Sequence, residues 1–138
     1  MNAVKNALRR YADFQGRSRP SDYWIFTLFV LAGAVLLAII EAGLGIGSGS
    51  HETLSSPGNI SVYATHTAGW LVGLFMLAML VPWLAVTVRR LHDTDRSGWW
   101  LLILFVPLIG QIILFVFLVT GGTRGPNRFG PDPVETAE

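Results

Sequence analysis

Three long apolar runs limit what this chain can fold into. They cover residues 23–42, 68–88 and 99–120 and contain no Lys, Arg, Asp or His, while Glu41 lies at the far end of the first run. As helices rising about 1.5 Å per residue they span roughly 30–33 Å, which matches the ~30 Å hydrocarbon core of a bilayer. The helices of a soluble core would need polar faces, which these runs lack. The sequence therefore predicts an all-α integral membrane protein with three transmembrane helices.

The domain organisation is simple. The 138 residues allow one domain, and 51% hydrophobic against 14% charged residues is unlike a soluble domain of this size. Pro82 and Pro107 fall inside the second and third runs, so we expect both helices to be kinked. Within one membrane domain, 1–138, we predict an N-terminal interfacial helix at 3–14, membrane spans at 23–42, 68–88 and 99–120, a flexible outer loop at 43–67 and a polar tail at 121–138.

The N-terminal segment 3–14 shows the periodicity of an amphipathic helix. Leu8 and Tyr11 lie on one side, whereas Lys5 and Arg9 lie on another. Such a helix would lie in the headgroup layer of the membrane, with its basic side toward anionic lipid.

The basic residues are distributed unevenly along the chain. Five of the ten precede the first run, three lie between the second and third runs, and none lies in the segment 43–67. Basic residues that flank a span remain on the cytoplasmic side of the membrane. We therefore predict a multi-pass protein whose N-terminus and 89–98 loop are cytoplasmic and whose 43–67 loop is outside.

Two arrangements are open for the third run. Pro107 and Gly110 lie at its middle, where a missing backbone donor and a flexible residue weaken a helix. A kinked single crossing would carry the tail, with Arg124 and Arg128, to the outer side, whereas a re-entrant hairpin would return the tail to the cytoplasm. We favour the single crossing, because broken backbone at mid-membrane depth needs shelter that a small protein offers poorly unless it oligomerises.

Two polar motifs lie at the predicted cytoplasmic ends of the spans and form our candidate site. We call it the edge cluster, and it consists of Arg17, Arg19, Asp22, Arg89, Arg90, His92, Asp93 and Arg96. Because the predicted membrane topology brings both motifs to one membrane face, we expect Asp22 to pair with Arg89 or Arg90. Partly buried arginine–carboxylate pairs are geometrically specific and fix how helices dock.

Aromatic residues follow the charges in both motifs. Tyr23 and Trp24 begin the first run, and Trp99 and Trp100 begin the third. Amphipathic rings concentrate at the membrane–water interface, so we predict that these four residues are interfacial anchors. The chain has no cysteine, and its outer loop offers only separated histidines, so we expect no disulfide, metal site or cofactor.

Several motifs occur in an order that resembles a known family. They are Gly16-Arg17-x-Arg19 with Tyr23-Trp24, Arg89-Arg90-Leu91-His92-Asp93, Ser97-Gly98-Trp99-Trp100, Pro107-x-x-Gly110 and Asn127-Arg128-Phe129-Gly130-x-Asp132-Pro133. Over residues 14–133 the chain resembles the domain-of-unknown-function 805 family of small bacterial inner-membrane proteins, although Asp95 stands where that family often has glycine. The resemblance implies a bacterial inner-membrane protein of undetermined activity and supplies no catalytic residue. We add Asn127, Arg128 and Asp132 to the candidate residues as a tail motif.

Three classes of function fit these features. We favour a non-catalytic module whose edge cluster organises the helices and binds anionic lipid headgroups or a partner, since basic membrane edges attract phosphate. A transporter or channel component is the first alternative, although its spans would lack the buried ionisable residues that transport pathways need. The second alternative is an enzyme that acts on a lipid phosphate or headgroup through His92, but no nucleophile motif or phosphate cradle accompanies this residue.

The sequence gives less information about partners other than lipid. A homo-oligomer or a protein partner fits the same features. We do not expect nucleic acid as a partner, because the basic residues are few and tethered to the membrane.

Overall fold

The computed structural model describes residues 2–46, 54–56, 59–61 and 69–135. The elements in chain order are α1 (Asn2–Arg9), α2 (Pro20–Gly43), the strands β1 (Leu54–Ser56) and β2 (Asn59–Ser61), α3 (Trp70–Asp93), the 3₁₀ helix η1 (Gly98–Phe105) and α4 (Ile109–Val119). The chain divides into two compact units, and each unit includes part of α2 and part of α3. Unit 1 contains residues 1–29 and 79–138, and unit 2 contains residues 30–78.

Among the described residues, α2 and α3 are the two helices long and apolar enough to cross a membrane. Each has 24 residues, which corresponds to a length of about 36 Å. Pro20 opens α2, a position that suits proline because the first helical N–H has no partner to lose. The helix α3 continues through Pro82 and extends beyond the predicted end of the second run to Asp93.

The helix α3 ends in a Schellman motif. Arg96 N–H donates to Leu91 O and Asp95 N–H donates to His92 O, both at 3.0 Å. Asp95 has a φ of +57°, the left-handed conformation that this motif requires after the helix end. Glycine adopts this conformation without strain, and aspartate tolerates it.

The helix α1 is shorter than the predicted 3–14, because the chain turns after Arg9. Arg10 holds this turn by donating to the Asp13 carboxylate (Nε to Oδ2, 2.8 Å) and to Gln15 O (3.0 Å). The buried side of α1 carries Ala3 and Ala7. Leu8 and Tyr11, on the predicted apolar side, are exposed.

In unit 2, Glu41 near the end of α2 caps the start of α3. Its Oε1 accepts hydrogen bonds from Leu71 N–H (2.7 Å) and Val72 N–H (3.3 Å), and its side chain is buried. The first turn of a helix presents unpaired N–H groups and the positive end of the helix dipole, so it stabilises a buried carboxylate. This contact explains why the first apolar run tolerates an acidic residue.

The predicted outer loop contains a short hairpin. The strands β1 and β2 pair antiparallel, with Leu54 opposite Ser61. The predicted flexibility of the remaining loop and its two histidines, His51 and His66, lie outside the described residues.

The third apolar run is the main correction to the predicted fold. Instead of one kinked helix over 99–120, the chain forms η1, a tight turn and α4, and the two helices pack against each other. Leu108 has φ +64° and ψ −62°, and Ile109 N–H donates to Pro107 O at 2.8 Å. These values describe a γ-turn, which reverses the chain where Pro107 has no N–H to continue a helix.

Gly110 allows the two legs of this hairpin to meet. A Cβ at this position would lie 1.7 Å from Ile103 O, so only glycine fits. Gly110 N–H donates to Val106 O (3.0 Å), and Val106 N–H donates to Ile103 O (2.9 Å). These donors are therefore satisfied within the turn itself, as backbone away from water requires.

Both ends of the hairpin lie at the same edge of unit 1. Trp100, at the start of η1, packs edge to face on Phe117, near the end of α4, with ring centroids 5.1 Å apart. The guanidinium carbon of Arg96 lies 3.9 Å from the centre of the same Phe117 ring. The chain thus returns to the edge of unit 1 from which it departed.

Candidate functional site

Asp93 lies at the centre of the edge cluster. Arg17 Nε donates to its Oδ1 at 3.0 Å, with Arg17 NH2 2.9 Å from the same oxygen, while Arg90 NH1 contacts Oδ2. The three side chains are each 3% exposed or less. Two guanidinium groups on one buried carboxylate leave an excess positive charge, which needs further acceptors.

Arg90 finds these acceptors at the end of α4. Its Nε donates to Leu118 O at 3.1 Å, and its NH2 contacts Thr120 O. The last carbonyls of a helix lack partners within the helix and form the negative end of its dipole. Arg90 therefore caps α4 and ties the returning leg of the hairpin to α3.

Arg17 binds the tail that follows α4. Its NH1 donates to Gly125 O (2.7 Å) and its NH2 to Thr123 O (2.5 Å), while Thr123 N–H donates to Asp93 O (2.9 Å). Gly122 lies against the same carboxylate, since a Cβ there would be 2.1 Å from Asp93 Oδ2. The tail thus forms one wall of the cluster.

Arg19 and Asp132 hold the end of the tail. Arg19 donates to Pro133 O (2.6 Å) and Val134 O (3.1 Å), and Asp132 accepts from Val134 N–H and Gly125 N–H, both at 2.9 Å. The hydrogen bond from Val134, together with that from Gly125, lowers the pKa of Asp132. An acid with a lowered pKa stabilises the fold when ionised, so this contribution is lost as the pH falls through the lowered value.

His92 contacts the N-terminal segment and the tail. His92 Nδ1 lies 3.1 Å from Gly16 O, and because a carbonyl only accepts, Nδ1–H is the donor. The ring stacks on Phe129 (centroids 3.9 Å apart, planes 3° apart), and Asn127 Nδ2 donates to His92 O at 2.9 Å. In the part of the chain that the structure describes, no carboxylate orients His92, whose contacts are those of a docking residue.

Arg128 joins the tail to the loop after α3. Its NH2 donates to Asp95 O (2.7 Å), and its Nε lies 3.1 Å from Asp95 Oδ1. The two side chains are 60% and 48% exposed, so the pair contributes at most about 1 kcal/mol.

Asp22 does not take the arginine that the sequence analysis assigned to it. Within the described residues it forms no ion pair, and Asp93 pairs with Arg90 instead. Asp22 lines a small cavity together with Arg89. Arg89 is 3% exposed, and its Nε and NH1 have no hydrogen-bond partner in the described chain.

The four aromatic residues differ in their surroundings. Tyr23 is buried, whereas Trp99 is among the most exposed side chains, and their role as interfacial anchors stays a prediction. Trp24 packs edge to face on Phe115 of α4, with centroids 6.2 Å apart. The start of α2 therefore also contacts the hairpin.

The sequence analysis missed the part that the tail plays in the cluster. Arg17, Arg19 and His92 all contact it. The signal was the charge distribution, since a returning tail brings the last two arginines to the side of the other eight basic residues.

Comparisons with known proteins agree with this fold class. A family model described as "Protein of unknown function (DUF805)" matches residues 11–131. The chain is similar to two proteins of Escherichia coli strain K12: "Inner membrane protein YhaI", 41% identical over 93% of this chain and 92% of that protein, and "Inner membrane protein YhaH", 38% identical over 96% and 97%. "Uncharacterized protein YiiR" of the same strain is 24% identical over 86% and 84%. No solved structure matches the chain.

Proposed function

This chain belongs to the DUF805 family of proteins of unknown function, and we propose that it is a non-catalytic module of the bacterial inner membrane that binds anionic lipid at its cytoplasmic face. One observation carries this proposal. The buried arginines Arg17 and Arg90 are used in internal contacts, whereas Lys5, Arg9 and Arg124 are exposed and form no ion pair within the described residues. Exposed basic residues at a membrane edge attract anionic headgroups.

The membrane location is supported by the relatives and by the helices. Two relatives are named inner membrane proteins. We infer that α2 and α3 each cross the bilayer once and that η1 and α4 form a re-entrant hairpin. At ~2.0 Å per residue for 8 residues and ~1.5 Å for 11, each leg is about 16 Å long, roughly half of the hydrocarbon core.

The cytoplasmic orientation is supported by the charges. The N-terminal segment, the loop after α3 and the tail all contact the edge cluster, so they share one side of the membrane. All ten basic residues then lie on that side, which the positive-inside rule assigns to the cytoplasm.

A C-terminal reporter tests this topology. Green fluorescent protein fused after Glu138 should fluoresce, since it folds in the cytoplasm, and alkaline phosphatase fused at the same position should be inactive. Alkaline phosphatase inserted between residues 48 and 49 is the control and should be active. An active phosphatase after Glu138 would mean that the third run crosses the membrane.

Lipid selectivity tests the function. Lys5→Gln with Arg9→Gln should weaken the binding of phosphatidylglycerol by about 30-fold, since each basic residue near an anionic surface contributes about 1 kcal/mol. Native mass spectrometry of the purified protein, titrated with phosphatidylglycerol or zwitterionic phosphatidylethanolamine, measures this change. The variant Lys5→Arg with Arg9→Lys keeps both charges and is the matched control. Equal phosphatidylglycerol binding by the two variants would refute the proposal.

A further inference from the structure

We propose that Arg89 is the binding residue of a phosphate site in the cavity between α1 and the end of α3. This inference rests on the proposed lipid-binding function and names the group that is bound. The cavity has a volume of about 60 Å³ and is lined by Ala3 and Ala7 of α1, by Ser18, and by Arg89 of α3. Such a volume accommodates a few water molecules or one small tetrahedral anion.

Arg89 has unused hydrogen-bond donors. It is 3% exposed, and its Nε and NH1 have no partner in the described residues. A buried charged donor without an acceptor is costly, and such groups in folded proteins usually bind an unseen water or ion. Ser18 N–H donates to Arg89 O at 3.1 Å, which fixes the backbone of Arg89 beside the cavity. An anion in the cavity would supply the missing acceptor.

The charges around the cavity favour an anion. Three arginines and one aspartate line it, and two of these arginines already have carboxylate partners, Arg10 with Asp13 and Arg17 with Asp93. Arg89 is the third, and it has no ion pair within the residues that the structure describes. The cavity wall therefore holds one guanidinium without an ion-pair partner in the described residues, that of Arg89, and the carboxylate of Asp22 offsets part of its charge.

Asp22 narrows the chemistry of the ligand. A carboxylate accepts hydrogen bonds, so a ligand that brings a donor as well as acceptors complements both Asp22 and Arg89. A phosphate group with a hydroxyl meets both demands, because its oxygens accept from Arg89 and its hydroxyl donates to Asp22. Protonated inorganic phosphate carries both functions on one small anion, whereas in phosphatidylglycerol the phosphodiester oxygens accept and the hydroxyls that donate belong to the glycerol. Sulfate is fully deprotonated at neutral pH and has no donor.

Thermal unfolding of the purified protein in detergent tests the site. Inorganic phosphate, or a short-chain phosphatidylglycerol, should raise the unfolding midpoint in a saturable manner, whereas sulfate at equal ionic strength and diacylglycerol should not. Arg89→Lys keeps the charge but loses the guanidinium donors, and it should weaken binding at least about tenfold.

Two further variants make the test independent of how well Arg89→Lys folds. Ala7→Leu fills the cavity from α1 and leaves every charge in place, so it should weaken binding to a similar extent. Arg128→Lys makes the same exchange at an exposed arginine that does not line the cavity. It should bind phosphate like the wild type.

Each result decides the proposal. Stabilisation by inorganic phosphate alone would support the site with a free phosphate as its ligand, and stabilisation only by phosphatidylglycerol would support it with the lipid as its source. No shift with either, an equal shift with sulfate, or unchanged affinity in Arg89→Lys and Ala7→Leu would overturn the site. None of these three results would contradict lipid binding by Lys5 and Arg9, because that binding is measured in a separate experiment.

Discussion

Replacing Asp93 with asparagine should lower the unfolding midpoint of the protein by about 12–20 °C. The substitution keeps the size of the side chain but removes the charge that Arg17 and Arg90 share, and all three groups are 3% exposed or less. Removing one partner of a buried ion pair costs about 3–5 kcal/mol, because the remaining charges stay buried without compensation. For a chain of this length, 1 kcal/mol corresponds to a shift of about 4 °C.

The measurement is the intrinsic tryptophan fluorescence of the purified protein during heating, since the chain contains 5 Trp. Asp95→Asn is the matched control. It removes an aspartate two residues away, whose pair with Arg128 is exposed, and asparagine tolerates the left-handed φ of this position. The control should shift the midpoint by no more than about 4 °C. Similar midpoints for the two variants would contradict the central role of Asp93.

A neighbouring pair of glycines tests the same centre sterically. Gly122→Ala would place its Cβ 2.1 Å from Asp93 Oδ2, whereas a Cβ at Gly121 meets nothing within 4 Å. The carboxylate can move away only by breaking its contacts with the arginines. Gly122→Ala should therefore reproduce part of the Asp93→Asn effect, and Gly121→Ala should not.

The sequence alone identified the family and the two long helices, because both depend on local information. Helices α2 and α3 follow from the length and hydropathy of their runs, and the DUF805 family follows from motifs in a fixed order. The same hydropathy could not distinguish a crossing from a hairpin at 99–120, because both arrangements place apolar residues in the membrane. A hairpin is possible only if the backbone at Pro107–Gly110 satisfies its own N–H donors. That depends on the γ-turn, whose hydrogen bonds are visible only in the structure.

The sequence predicted which residues form the edge cluster better than it predicted how those residues pair. The sequence brought Arg17 and Arg90 to one face but assigned Asp22 as the carboxylate partner, whereas the structure uses Asp93. Arg90 and Asp93 are three residues apart on α3 and therefore face each other on a helix, so this pair was accessible from spacing. The carbonyl acceptors at Leu118 and Thr120 were not, because they depend on the return of α4.

Replacing Gly110 with alanine should open the hairpin and lower the unfolding midpoint by at least about 10 °C. The new Cβ would lie 1.7 Å from Ile103 O, a backbone atom that no change of rotamer can move. Overpacking of this kind costs about 1–3 kcal/mol, and more where backbone must shift. Since η1 and α4 are held apart by the clash, Arg90 would also lose its cap on α4 at Leu118 and Thr120.

Hydrogen–deuterium exchange localises the effect of Gly110→Ala. Amides of residues 98–135 should exchange faster, because both the hairpin and the tail depend on the closed turn, whereas amides of unit 2 should keep their protection. Gly73→Ala is the control: Gly73 lies in α3, a Cβ there meets nothing within 4 Å, and alanine is favoured over glycine in a helix. It should leave the protein equally or more stable. If Gly110→Ala matched this control in both measurements, a Cβ would fit at position 110, and η1 and α4 could not pack as closely as the structure shows. That result would contradict the re-entrant hairpin.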